Sequence, residues 1–190
     1  MMNSDDRHTA NRRGFLRRSL TLTAAGTLAG MATGTARASV GSGERALAFA
    51  HTHTGERIQI VYAVGERFID ESLSRLNHFL RDHYSGEVGQ MDPQLFELLH
   101  RLHARLGGVG AFEVISAYRS PATNAALRVS RAGGVAKRSL HMEGRAIDVR
   151  LPGVPLAALR LAALSLRAGG VGYYPKDGFV HIDTGTPRAW

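Results

Sequence analysis

The run Ser139-Leu140-His141-Met142-Glu143-Gly144-Arg145-Ala146-Ile147-Asp148, answered downstream by His181-Ile182-Asp183, supplies two imidazoles and a carboxylate. These are donors that suit a catalytic divalent metal such as zinc. Three protein ligands, His141, Asp148 and His181, leave one coordination position for water, which is the arrangement of a hydrolytic site. A structural zinc would close its shell with a fourth ligand, usually thiolates, and the 190 residues contain no cysteine.

Two strands must position these groups. Ala146-Ile147-Asp148-Val149 and Phe179-Val180-His181-Ile182-Asp183 both alternate in the period of two that marks a strand. If the two pair, Asp148 and His181 face the same side as neighbours. His141 then approaches from the loop through Gly144, where a glycine lets the backbone come close to the metal. A lone histidine beside a strand is most often a hydrogen-bonded structural residue. An aspartate on an apolar strand, however, is costly unless paired or metal-bound, and a matching histidine lies on the second strand. Upstream, Phe112 to Ser116 reads as a strand, so Arg119 in Ser116-Ala117-Tyr118-Arg119-Ser120-Pro121 sits on the loop beyond its end, where it can project into a cleft.

The pattern Ser139-x-His141-x-x-Gly144-x-Ala146-x-Asp148 followed by His181 resembles the signature of the LAS zinc peptidases, which include D-alanyl-D-alanine carboxypeptidases, murein endopeptidases and the hedgehog signalling domain. Within that group, Gly170-Val171-Gly172-Tyr173-Tyr174-Pro175 and Phe179 to Gly185 are similar to the short twin-arginine-exported murein endopeptidases of Gram-negative bacteria, over a match running from about Glu44 to the C-terminus. The resemblance implies a Zn2+ cofactor on His141, Asp148 and His181. It implies substrate contacts from Arg119, Ser139 and Tyr118, with Arg119 also stabilising the developing oxyanion through its fork of donors.

Many relatives carry an acidic general base three positions before the second histidine. Here that position is Gly178. Three carboxylates remain as candidates. Asp183 ranks first, because it shares a strand face with His181; its other reading is a carboxylate that orients a histidine by accepting the ring proton. Asp177 lies in the turn Lys176-Asp177-Gly178, and Glu143 lies inside the first motif.

The substrate expected from the resemblance is an amide in peptidoglycan cross-link peptides, D,D or L,D. A D-alanyl carboxypeptidase and a non-catalytic zinc-containing cell-wall binding domain are the alternatives. Asn11-Arg12-Arg13-Gly14-Phe15-Leu16 opens a leader that looks like a twin-arginine signal peptide over residues 1–38, with small residues at Ala36-Arg37-Ala38 for cleavage. That address implies a periplasmic protein, with the peptidase domain over residues 39–190. The apolar part of the leader is broken by glycines and threonines, so the mature form is expected to have no transmembrane span.

Charge agrees with a wall polymer better than with nucleic acid. The whole chain carries a formal +8, half of it in the leader's six arginines and two aspartates. The remaining 18 basic and 14 acidic residues form no dense cationic stripe interleaved with aromatics, and no nucleic-acid partner is expected.

About 150 mature residues suffice for one domain, expected to be a monomer. The anticipated class is α+β, a single domain with a small antiparallel sheet carrying the zinc site and packed against helices. Arg45 to Phe49 and Ile58 to Ala63 flank Thr54-Gly55-Glu56 as a hairpin. One helix carries Leu73, Leu76, Phe79 and Leu80, and another opens at Asp92-Pro93 with leucines on one face. His78, His83, His100 and His103 are expected within these helices in packing or solvent roles. A short helix spans Pro121 to Arg128 with Asn124 toward the cleft, a longer one runs from Pro155 to Arg167, and Val129 to Arg138 is expected as a mobile loop bordering the site.

Overall fold

The computed structural model describes residues 43–130 and 135–190. The proposed leader, and Arg131 to Gly134 of the anticipated loop, lie outside the described residues.

Strands β1 (Glu44–His51) and β2 (Arg57–Val64) form the expected antiparallel hairpin. β3 (Arg67–Phe68) extends its edge, and helices α1 (Asp70–Phe79) and α2 (Pro93–Arg105) follow. α2 begins where its sequence dictates: Asp92 caps it by accepting from the Gln94 amide at 2.9 Å, and Pro93 occupies the first turn, where no amide donor is needed. After β4 (Phe112–Ser116), helix α3 (Pro121–Ser130) is capped by the Ser120 hydroxyl, which accepts from the Thr123 amide at 3.2 Å. A 3₁₀ turn at Leu140–Glu143 leads into β5 (Ala146–Arg150). Then come α4 (Leu156–Leu166), β6 (Gly170–Tyr174), β7 (Phe179–Asp183) and β8 (Arg188–Ala189).

The eight strands among the described residues belong to one sheet, ordered β3-β2-β1-β4-β5-β7-β6-β8. The expectation of a small antiparallel sheet is corrected here, because β1 pairs with β4, and β6 with β8, in parallel. The first parallel pair has a clear cause: α1 and α2 carry the chain back across the sheet, so β4 enters alongside β1 in the same direction. His83 is likewise corrected, since it lies beyond the end of α1 rather than within a helix.

α1 packs on β2, α2 on β1, and α4 on β6 and β7. Ile147, Val149, Val180 and Ile182 point into the resulting core and are at most 1% exposed. Each such buried aliphatic contributes about 1.5–3 kcal/mol. Strict alternation therefore turns Asp148, His181 and Asp183 toward the face opposite this core. The burial of the odd set on β5 and the even set on β7 is what fixes the register and aims the polar set together.

Candidate metal centre

β5 and β7 pair antiparallel with Asp148 directly opposite His181, and Gly172 of β6 flanks His181 on its other side. His141 arrives on the 3₁₀ turn, which ends at Gly144 with φ +66°. A side chain at Gly144 would be strained in that conformation and would collide with the backbone carbonyl of Gln90. The Gly144 carbonyl accepts from the Asp92 amide at 2.9 Å, tying the turn to the start of α2.

The three side chains converge. His181 Nδ1 lies 2.8 Å from Asp148 Oδ1 and 3.2 Å from His141 Nε2, and His141 Nε2 lies 3.4 Å from Asp148 Oδ1. A tetrahedral ion with bonds of 2.0–2.1 Å separates its ligands by roughly 3.3 Å, so this triangle of donors fits a zinc-like cation. The outer ring nitrogens are also accounted for. His141 Nδ1 donates to the Ala117 carbonyl at 2.6 Å, and a carbonyl can only accept, so Nε2 keeps its lone pair for the inner side. His181 Nε2 faces Asp183 Oδ2 at 3.1 Å, which leaves Nδ1 inward in the same way.

With no ion bound, Asp148 and Asp183 favour a proton on His181, which a cation at Nδ1 would displace. Burial acts to lower the pKa of His181, but its hydrogen bonds to Asp148 and Asp183 prevail and push it up to about 9. Burial also opposes ionisation of Asp148 and Asp183. The imidazoles, joined for Asp183 by Arg188 and two backbone amides, nonetheless hold both carboxyls well below the usual range. Arg188 compensates the charge of Asp183, so Asp148 is the carboxylate left to face a cation at the three donors.

Asp183 itself is fully buried behind His181. Its Oδ1 accepts from the amides of Gly170 at 3.0 Å and Gly185 at 2.8 Å, and Arg188 grips both oxygens at 3.1 and 2.7 Å. It stands on the far side of the ring from the donor cluster, where it accepts from the outer imidazole nitrogen. Glu143 also turns away, toward Arg145 at 3.3 Å on the surface. Asp177 is different: it is exposed in the β6–β7 turn and lines the cleft with the donor cluster. Gly178 has φ +74° and closes back on the Tyr174 carbonyl, so the position that is acidic in many relatives is held in a conformation favouring glycine. Asp177 precedes it in the turn.

Arg119 lines the same cleft. Its backbone amide donates to the His141 carbonyl at 3.2 Å, and its guanidinium reaches Asn124 Oδ1 at 3.4 Å and Ser116 Oγ at 3.5 Å. Asn124 is buried and also donates to the Ala136 carbonyl at 3.2 Å, bracing the arginine from α3. Ser139 lines the cleft as well. Tyr118 does not: its hydroxyl donates to Glu87 at 3.1 Å and its ring abuts Gly89. The anticipated loop is helical to Ser130, and its described part, from Val135 on, contributes Val135, Ala136 and Arg138 to the cleft wall.

The sequence reading missed Tyr174, Phe179, Arg188 and Trp190. Trp190 stands 5.3 Å from the His181 ring, centroid to centroid, and its indole donates to the Tyr174 hydroxyl at 2.7 Å. Two-residue β8 delivers it, and a strand that short leaves no periodic signal. The cleft, of about 540 Å³, adjoins a second cavity of about 240 Å³. Arg119, Asp148, Asp177 and Phe179 line both, and the second is walled by His53, His83 and Tyr84. His53 and His83 stack there at 4.2 Å.

Comparison with known proteins gives a consistent answer. A model for the M15 peptidase family described as peptidoglycan L,D-endopeptidase MepK matches residues 39–190. The peptidoglycan L,D-endopeptidase MepK of Escherichia coli is 48% identical over 146 residues, covering 77% of this chain and 80% of the relative. The Haemophilus influenzae protein, named a probable peptidoglycan L,D-endopeptidase MepK, is 44% identical over 147 residues, covering 77% and 78%. No solved structure matches at a comparable level.

Proposed function

Because the chain belongs to the peptidoglycan L,D-endopeptidase MepK family of M15 peptidases, we propose that it hydrolyses L,D amide bonds in peptidoglycan cross-links at a divalent-metal site, with zinc as the metal. The observation that carries this reading is the donor triangle at the floor of the cleft, with both outer imidazole nitrogens anchored by acceptors.

His141, Asp148 and His181 would hold the ion. When bound, the metal supplies Lewis acidity that polarises the scissile carbonyl and acidifies the attacking water. The Asp177 carboxylate accepts a proton from that water as it adds to the carbonyl carbon, and returns the proton to the leaving amine as the C–N bond breaks. Arg119, braced by Asn124 and Ser116, presents its guanidinium to the oxyanion. Asp183 and the Ala117 carbonyl keep the imidazoles in the tautomers that direct lone pairs inward. Substrate can extend beyond Arg119 toward His53 and His83, which suits an internal bond between two peptides better than a terminal D-alanine in a closed pocket.

Export by the twin-arginine route to the periplasm belongs to the same proposal. Arg12-Arg13 and the small residues before Ser39 support it, as does the location of the substrate outside the inner membrane. Among the described residues no helix is long and apolar enough to cross a membrane.

The test is incubation of metal-loaded protein with purified cross-linked muropeptides containing L,D and, separately, D,D linkages. Cleavage of the L,D linkage alone is expected. Release of free D-alanine only, or no product with any divalent metal, sinks the proposal. Asp177→Asn should retain metal while losing about 10²- to 10⁴-fold in kcat. Full turnover by that variant removes Asp177 as the base.

A further inference from the structure

Three arginines line the metal cleft, and they are not equivalent. Arg188 is neutralised by the buried Asp183, which it grips with two nitrogens at 3.1 and 2.7 Å. Arg119 is braced by Asn124 and Ser116 at the reacting carbonyl. Arg138 is exposed, and no ion pair or hydrogen bond holds its side chain among the described residues. It is nevertheless fixed in place along the chain. Ser139 follows it, buried, and begins the 3₁₀ turn that carries His141 three residues on. Arg138 therefore faces the same space as the metal donors.

Charge in the cleft decides what this cation is for. Asp148 is taken up by the metal and Asp183 by Arg188, so Asp177 is the one other carboxylate along the described wall. A proton acceptor cannot also be neutralised by a permanent ion pair, and none joins Arg138 to Asp177. With the ion present, the cleft is cationic, and a substrate that brings its own carboxylate is favoured.

We infer that Arg138 is a specificity-determining residue that receives a free carboxylate on the D-configured residue flanking the scissile amide. The inference rests on the endopeptidase reading. In an L,D bond the L residue supplies the acyl group and the D residue the amine, so a carboxylate on the D residue's α-carbon lies two bonds from the scissile nitrogen. Arg119 serves the carbonyl oxygen, which leaves the second cation for the amine side. The planar guanidinium accepts such a carboxylate in a bidentate fork, and a carboxamide cannot replace it there.

The test compares a cross-linked peptide bearing that carboxylate with the same peptide amidated at the same position, using metal-loaded protein and both turnover and calorimetric binding. The wild type should favour the carboxylate by about 10- to 100-fold in affinity and in kcat/KM. Arg138→Gln should lose that factor on the carboxylate peptide, mainly through KM, while the amidated peptide is handled as by the wild type. Arg138→Lys should recover part of the preference, because it keeps the charge and loses the fork. Because Arg138 is exposed and packs into no core, these variants should fold normally, as thermal unfolding would verify. Equal binding of the two peptides by the wild type overturns the inference, and so does an equal loss on both in Arg138→Gln. Preferential binding of the carboxylate without cleavage of either peptide would uphold the Arg138 site and reject the hydrolytic reading.

Discussion

His181 is held between two carboxylates that do different work. Asp148 meets Nδ1 on the open side, and Asp183 meets Nε2 from within the protein. An Asp183→Asn substitution separates orientation from proton transfer. The asparagine oxygen can still accept from Gly170 and Gly185, but the other oxygen, which faces His181 Nε2, becomes an NH2 group. Two donors would then confront each other, and the ring would turn or change tautomer. Metal affinity is expected to fall about 10- to 100-fold, the usual effect of losing such a partner, as read by competition with a chromophoric chelator. Turnover at saturating metal should fall far less. Unchanged metal affinity with lost turnover would return Asp183 to the role of base. The same contrast explains why sequence reasoning ranked Asp183 first. Period-two spacing places Asp183 and His181 on one face, but it does not say that Arg188 and two backbone amides close over the carboxylate.

The connections between elements hold Arg119 and His141 at the ends of regular structure. Asp82, almost fully buried, is the tie. Its Oδ1 accepts from the Tyr84 amide at 2.9 Å, and its Oδ2 from the Ser120 amide at 2.9 Å, joining the segment after α1 to the first turn of α3. Burial acts to raise its pKa, but the bonds from Thr123, Ser120 and Tyr84 prevail and hold the carboxyl well below the ordinary range. Asp82→Ala strands these donors and should cost about 2–3 kcal/mol in urea denaturation. The sign of the pH dependence follows from the direction of the shift. A carboxyl with a depressed folded-state pKa stabilises above its unfolded value of about 3.9, and that stabilisation is lost as pH falls below it. The deficit of the variant should therefore be full at pH 7 and shrink below about pH 4; a deficit constant across this range would contradict the assignment. At this scale the sequence was legible wherever pattern is local. The hairpin around Thr54-Gly55, the start of α2 at Asp92-Pro93 and the alternation that puts His181 and Asp183 on one strand face follow from short-range rules. The parallel pairing of Phe49 with Phe112 spans two helices and leaves no local mark, and the last strand is too short to alternate. Trp190 and Arg188 enter the cleft through those non-local contacts.

Across the whole molecule, the donor cluster joins parts of the chain that are far apart. The 3₁₀ turn, β5 and β7 supply the three donors; the Ala117 carbonyl beyond β4 and the Asp183 network reaching β6 and β8 hold them in place. With no cysteine in 190 residues, nothing covalent crosslinks these segments. An ion that binds the folded chain and not the unfolded one stabilises it by mass action, about 4 kcal/mol when its concentration exceeds Kd by a thousandfold. For a domain of this size that corresponds to a rise in Tm of roughly 10 °C. Thermal unfolding across a zinc series should therefore show Tm climbing with the logarithm of free metal, and an excess of chelator should restore the low value. His141→Ala should unfold near the chelated wild type and lose most of the metal dependence, because it removes one of three donors from a site that unfolding disperses. A midpoint indifferent to metal in the wild type would mean that these three side chains, close as they are, do not hold an ion in the folded protein.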